Sequence, residues 1–362
     1  MLVLVISDLH LGRGKFLKSG QLNILEDFFE DEHFCEFLDY YSTDEYTEQE
    51  VQLVLNGDIL NLIQIDIDGV FHHLIDEWVT TLALKRILDG HPSFFRALKK
   101  FLARPNKKLT YVIGNHDLGM TFQGAQETFN HAVGQKVEFV FEWEKTGVHI
   151  EHGHRFEEMN SDDYDKIFRE GPAGKKILSL PWGGLFCVLA LPRLKKERPY
   201  IDRVRPMASY LWWCLFHDFR YFLWMNLVMM KYFIQAWFNP YLRPKTDMRS
   251  TLRLLQKFTM YPNFEKKGHS LLKDNLMLKV VVMGHTHLQE WRRFPGERYY
   301  FNTGTWNAIP SMDPARYQNV TQLSYVALDL GPKSQILSTA SLNLWKGKWR
   351  PYEEEVKLGP VS

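Results

Sequence analysis

Short runs of aliphatic and β-branched residues recur along the chain, and each is cut off by a polar cluster. Leu2–Ile6, Val51–Leu55, Leu109–Ile113, Gly147–Glu151 and Leu278–Met283 read as buried strands. Between them the apolar positions fall three and four apart, which predicts helix. One such stretch is 21–50, with Leu22, Leu25, Phe28, Phe29 and Phe34; its charges are expected to form a solvated face. Another is 72–103, carrying Leu74, Trp78, Leu82 and Ile87, then Phe94, Leu98 and Phe101 after a break at Pro92. Val137–Trp143 and Tyr299–Gly304 add strands, and Leu323–Leu330 with Ile336–Leu344 read as a final antiparallel pair. The tail from Pro351 is polar and reads as loosely ordered. Strands alternating with helices at this spacing predict an α/β layered fold.

The pattern changes near Ile177. From Tyr210 to Tyr241 thirteen of thirty-two residues are aromatic, and the charges are only Asp218, Arg220 and Lys231. Those charges leave uncharged runs shorter than the roughly 20 residues a bilayer span needs. A core hairpin is the plain reading. The sharper one is a lid with an apolar inner wall, or helices lying in a membrane interface. Basic residues flank the segment: Arg193, Lys195, Lys196, Arg198, Arg203 and Arg205 before it, Arg243, Lys245, Arg249 and Arg253 after. That rim suits an anionic, acyl-bearing substrate or an acidic bilayer surface. The expected division is 1–176 and 245–362 as two parts of a catalytic domain, with 177–244 inserted as a helical aromatic lid.

With 362 residues, the chain can bury a large core. Its net charge of +1 gives no global pull toward nucleic acid, and none is expected as a partner; no obligate protein partner is evident either. Three scattered cysteines fit a reducing compartment, and Asp8 interrupts the first apolar run too early for a signal peptide. A cytoplasmic protein is expected, peripheral on the inner face of the membrane if the aromatic segment docks there.

The chemistry sits where the strands stop. Ser7-Asp8-Leu9-His10, Asn56-Gly57-Asp58, Gly114-Asn115-His116-Asp117, His152-Gly153-His154 and Gly284-His285-Thr286-His287 each follow an apolar run. Open α/β sheets place ligands at the carboxyl ends of their strands. Any one of these acids or imidazoles alone reads better as a cap or a core residue. Together they offer Asp8, His10, Asp58, Asn115, His152, His285 and His287, enough for two cations sharing a carboxylate roughly 3.5–4 Å apart. The mixed oxygen and imidazole donors admit several divalent ions, with Mn²⁺ leading and Fe or Zn as alternatives.

In that order the motifs resemble the calcineurin-like metallophosphoesterase superfamily. The resemblance implies a four-layer αββα sandwich. It places Asp8, His10 and His287 on one ion, Asn115, His152 and His285 on the second, and Asp58 as the bridge. It gives His116 a role on the phosphate or leaving oxygen, with Asp117 orienting its ring. A hydroxide held between the ions would be the nucleophile. Ser7-Asp8-Leu9-His10-Leu11-Gly12, the late helical insertion, and Asp162-Asp163-Tyr164 followed by Phe168-Arg169 are similar to the UDP-2,3-diacylglucosamine diphosphatases. Arg13, His154, Arg155, Asp163 and Arg169 become substrate-binding candidates. The expected activity is hydrolysis of a phosphoester or pyrophosphate in a lipid-linked substrate. Two alternatives stay open: the same chemistry on a soluble nucleotide, nucleic acid or phosphoprotein, and a membrane-peripheral binding protein with a vestigial metal site.

Overall fold

In the computed structural model the described residues are 1–17, 19–161, 164–242, 263–310, 312, 321–331 and 337–347. The strands in chain order are β1 (Leu2–Ile6), β2 (Val51–Asn56), the ribbon β3 (Asp66–Ile67) and β4 (Val70–Phe71), β5 (Lys107–Val112), β6 (Glu138–Val140), β7 (Glu142–Lys145) and β8 (Val148–Glu151). A second ribbon, β9 (Phe168–Glu170) and β10 (Lys176–Leu178), precedes β11 (Val280–Met283), β12 (Gln289–Phe294), β13 (Arg298–Thr303), β14 (Ser324–Leu330) and β15 (Leu337–Leu344). The helices are α1 (Asp31–Tyr40), α2 (Glu77–Gly90), α3 (Pro92–Leu102), α4 (Gln123–Val133), α5 (Trp182–Leu189), α6 (Leu191–Glu197), α7 (Met207–His217), α8 (Phe219–Phe238) and α9 (Phe264–Asp274).

Two sheets carry the fold, ordered β15-β14-β1-β2-β5-β6 and β12-β13-β11-β8-β7. Within the first, β1, β2 and β5 are parallel, with Leu4 beside Leu53 and Leu53 beside Leu109. In the second, β11 is parallel to both β8 and β13. Successive side chains on a strand point to opposite faces. Val3 and Val5 therefore enter a layer between the sheets, with Val54, Val112, Ile150 and Val282. Leu4 and Ile6 turn the other way, into the core beneath the helices with Leu53 and Phe94. Helix α9 closes the far side through Phe264 and Leu272 against Val281 and Tyr300. The result is the αββα sandwich, and burial on both faces explains why these strands read as continuous apolar runs.

The stretch 21–50 departs from its expected form. Only Asp31–Tyr40 is α-helix, and the acids before it are no solvated face, since Glu26 and Asp27 are both buried. Each has a partner that compensates its burial. Glu26 accepts the backbone N–H groups of Gly12 and Gly14 at 2.9 and 2.6 Å. Asp27 accepts from the fully buried Lys195, whose ammonium donates to both its carboxylate oxygens at 2.8 Å and to Asp202 at 3.2 Å. Arg203 approaches Asp27 at 3.1 Å from another side.

Helices α5 to α8 follow β10, and their inner residues Leu185, Leu194, Cys214 and Met225 share the core that holds Ile6 and Leu55. No helix among the described residues is long and apolar enough to cross a membrane. Arg243, Lys245, Arg249, Arg253, Asp162, Asp163 and the tail from Pro351 lie outside the described residues.

Candidate metal centre

Five strands, β1, β2, β5, β8 and β11, end at one edge of the paired sheets, and their loops are laced together there. Asp8 N–H donates to the Gly57 carbonyl at 3.0 Å, His10 N–H to Asp58 at 2.9 Å, and Gly284 N–H to His152 at 3.0 Å. Sharp turns aim the side chains inward: Asp8, His10, Asp58, His285 and His287 all have φ between 52° and 70°. That left-handed region is uncommon for residues with a Cβ and persists only where the surroundings fix it. Glycines make room for the gathering. A Cβ on Gly57 would fall 2.5 Å from the His152 ring, and one on Gly284 would fall 2.5 Å from Asp8 Oδ2.

The donors converge as linked groups. Asp8, His10 and His287 form one, Asp58, His152 and His285 another, and His10, Asp58 and His116 a third that shares a member with each, all with ligand atoms within 4.8 Å of one another. Asp58 belongs to two of them, its Oδ2 lying 3.9 Å from His10 Nε2 and 3.2 Å from His152 Nε2. Asp8 Oδ1 lies 3.4 Å from His287 Nε2. The structure thus brings Asp8, His10, Asp58, His152, His285 and His287 together, and His10, Asp58, His285 and His287 line a cavity with Asn115.

Each carboxylate has one oxygen tied down and one presented. Asp8 Oδ2 accepts from the Ser7 hydroxyl and from the His285 N–H, the latter at 2.9 Å. Asp58 Oδ1 accepts the His116 N–H at 2.8 Å. His152 Nδ1 donates to the Asn56 carbonyl at 3.0 Å, which fixes the tautomer with Nε2 turned inward. Left without hydrogen-bond partners are the buried atoms Asp8 Oδ1, Asn115 Oδ1, His152 Nε2 and His285 Nδ1, while His287 turns its Nε2 toward Asp8 Oδ1 and lies 3.1 Å from His10 Nε2. Unsatisfied buried polar atoms are costly and rare. Four of them, three on residues of the donor cluster and one on Asn115, fit a pair of divalent cations with oxygen and imidazole ligands.

Electrostatics point the same way. Burial raises the Asp8 carboxyl to about 6 despite the His152 ring. Burial and the neighbouring His116 lower His10 to about 3. Burial alone would also lower His152, yet Asp58 and Asp8 push it up to about 10. The same two carboxylates that raise His152 would favour a bound cation in its place.

His116 lines the cavity, but its expected orienting partner does not hold it. Asp117 Oδ2 accepts from Ile59 N–H and the Tyr111 hydroxyl at 2.9 and 2.6 Å, and Oδ1 from Gly114 N–H at 2.6 Å. The carboxylate is consumed in shaping its own loop. Asn61 takes the orienting part, its Oδ1 lying 2.9 Å from His116 Nδ1.

The substrate-contact candidates among the described residues fare less well, because Arg13, His154, Arg155 and Arg169 are absent from the cavity lining. Arg13 is ion-paired with Asp66. Arg155 pairs with Glu151 at 2.7 Å and Glu142 at 3.5 Å. Arg169 donates to Ser179 at 2.8 Å. His154 is fully buried beside His152, ring centroids 5.4 Å apart. Asp163 lies outside the described residues.

Other residues supply what those do not. Glu157 Oε2 sits 2.5 Å from His285 Nε2, so it orients that ring with Nδ1 inward. Arg203 and Arg205 face the cavity with Asp202. Thr305 and Asn307 clamp the first loop, donating to the Asp8 and Leu9 carbonyls at 2.5 and 2.9 Å. None of these follows a strand-end motif, and Arg203 and Arg205 show in the sequence only as part of a basic run. The cavity has a volume of about 480 Å³; part of the donor cluster lines it, and so do Phe186, Leu191, Ile201, Met207, Leu211 and Met225.

A family model described as calcineurin-like phosphoesterase matches residues 1–289. Solved structures align over nearly the whole chain. One is a predicted phosphoesterase from Streptococcus pneumoniae at 9% identity, covering 95% of this chain and 97% of that one with a TM-score of 0.27. Another is Vps29 complexed with zinc from Entamoeba histolytica, at 14% identity, 95% and 98% coverage and a TM-score of 0.26. A dimetal phosphatase from Danio rerio aligns at 8% identity, 95% coverage of both chains and a TM-score of 0.34. No curated protein matches the chain.

Proposed function

We propose, because the chain belongs to the calcineurin-like phosphoesterase family of metal-dependent phosphoesterases, that it hydrolyses a phosphoester or pyrophosphate bond in an acyl-bearing substrate such as UDP-2,3-diacylglucosamine. The observation that carries this reading is one cavity with two chemistries. The ligand candidates His10, Asp58, Asn115, His285 and His287 and a set of apolar side chains line it together. Its volume suits a small ligand or part of a larger one.

Asp8, His10 and His287 would hold one divalent ion and Asn115, His152 and His285 the other, with Asp58 between them; Mn²⁺ is the leading candidate. When bound, the ions supply Lewis acidity toward the phosphate oxygens and acidify the attacking water. The chain's own residues do the rest. Asn61 accepts from His116 Nδ1–H, so Nε2 faces the cavity. Burial lowers the His116 pKa, and the negative charge of an arriving phosphodiester opposes that shift. Protonated in the complex, His116 gives its Nε2 proton to the leaving oxygen. Arg203 and Arg205 add positive charge on the way in, and the apolar walls exclude water around an acyl chain.

The test is hydrolysis of UDP-2,3-diacylglucosamine beside bis(p-nitrophenyl) phosphate, with Mn²⁺ and with chelator. Both activities should need metal and fall by about 10²-fold or more in Asp58→Asn. Undiminished turnover by that variant refutes the site. Turnover of the nitrophenyl ester but not of the acylated substrate refutes the substrate class alone.

A further inference from the structure

Helix α8 is apolar on two opposite sides. Tyr221, Met225, Val228 and Ala236 turn inward and are buried. On the other side Phe219, Leu223, Leu227, Met230, Ile234 and Phe238 recur at three- and four-residue spacing and stand outward. They are exposed by 48% at Ile234 and up to 78% at Phe238. A surface helix ordinarily carries polar residues there, and a long exposed apolar stripe marks a contact surface. Helix α7 extends the stripe, because Trp212 and Phe216 are exposed one turn apart and stack at 5.9 Å.

Charge says what kind of surface would cover it. Exposed Arg220 and Lys231 flank the stripe. From Met207 to Leu242 the lone acid is Asp218, and Arg198 pairs with it at 2.6 Å. A second copy pressing the same face would bring like charges near one another across a two-fold axis. Anionic headgroups complement them, with Trp and Phe at the depth aromatics favour. Behind the stripe an apolar gap of about 230 Å³ opens between α5 and α8, and Met230 of the stripe lines it. Phe186, Asn226 and Met229 line both this gap and the metal cavity.

We propose that this face seats the protein flat on an anionic bilayer, and that the gap between α5 and α8 passes an acyl chain from the bilayer to the metal cavity. The passage rests on the acyl-bearing substrate proposed above; the seating does not. The metal-loaded full chain is sedimented with vesicles of phosphatidylcholine, with and without phosphatidylglycerol. Binding should require the anionic lipid, weaken with salt, and fall about ten-fold or more in the triple variant Leu223→Gln, Leu227→Gln, Ile234→Gln. Unchanged hydrolysis of bis(p-nitrophenyl) phosphate by that variant shows that it is folded. Equal vesicle binding by the variant overturns the seating. So does a wild-type protein that ignores anionic vesicles and dimerises through the stripe. For the passage, Met230→Trp should slow hydrolysis of vesicle-borne UDP-diacylglucosamine several-fold without loosening vesicle binding; an undiminished rate overturns it. Vesicle binding by a wild type that cleaves only the nitrophenyl ester upholds the seating and removes the substrate.

Discussion

Replacing Lys195 by Met should cost this protein about 3 kcal/mol of stability. The ammonium is fully buried and holds both oxygens of Asp27 at 2.8 Å and Asp202 at 3.2 Å, tying α6 to the loop before α1. Removing one partner from a buried ion pair typically costs about 3–5 kcal/mol, mostly because the other charge is left without its partner. Here Asp27 keeps Arg203 at 3.1 Å, which places the loss at the lower end. The measurement is urea unfolding of the full chain followed by far-ultraviolet circular dichroism, for Lys195→Met, Asp27→Asn and the double variant. Neutralising Asp27 in the Lys195→Met background should recover part of the loss, with a coupling energy of about 2 kcal/mol. A single-variant loss below about 1 kcal/mol, or strictly additive effects, would show that the tie is ornamental.

Other consequences are equally direct. Glu157→Gln removes the carboxylate behind His285 and should weaken metal affinity about 10–100-fold in calorimetric titration, with the fold unchanged. His116→Gln should lower kcat on esters with alkoxide leaving groups by about 10²–10⁴-fold. It should do far less to nitrophenyl esters, whose leaving group needs no proton; an equal loss on both would remove His116 as the acid. His91 lies 3.4 Å from Glu26 and 3.0 Å from Asp31, and these carboxylates overcome its burial and lift it to about 9. Because the folded value exceeds the ordinary 6.5, its contribution is fully present below pH 6.5 and is lost as pH climbs through about 9. The stability gap between wild type and His91→Gln should therefore shrink by roughly 3 kcal/mol across that window in denaturant titrations at fixed ionic strength. A gap that stays constant with pH would mean the imidazole is neutral throughout.

The sequence made the frame and the ligand loops readable for a physical reason. Strands buried on both faces must be contiguous and apolar, and a cation site at their ends must be polar, so Ile6 giving way to Asp8 and Met283 to His285 is visible without coordinates. Side chains whose meaning depends on a distant partner were not readable. Asp27 looks like a solvent-facing acid until Lys195 is brought to it from 168 residues away. Glu157 belongs to no motif and acquires its meaning only from touching His285. Asp117, next to His116 in the chain, is taken up by its own loop, and Asn61 reaches the ring from 55 residues away, which no local pattern shows. The arginines misled for a related reason: Arg13 and Arg155 sit beside metal motifs in sequence, yet nearby carboxylates claim them first.

One pairing has a consequence for how the protein is made. β1 lies between β2 and β14, with Leu2 opposite Asp329. While the chain is being synthesised, one edge of β1 must wait for β14, more than 300 residues further along, to emerge from the ribosome. Thr305, which fastens the Asp8 carbonyl, emerges almost as late. Prematurely terminated chains would thus display an open apolar edge, a template for aggregation, and the cell would meet them as chaperone clients rather than as weak enzymes.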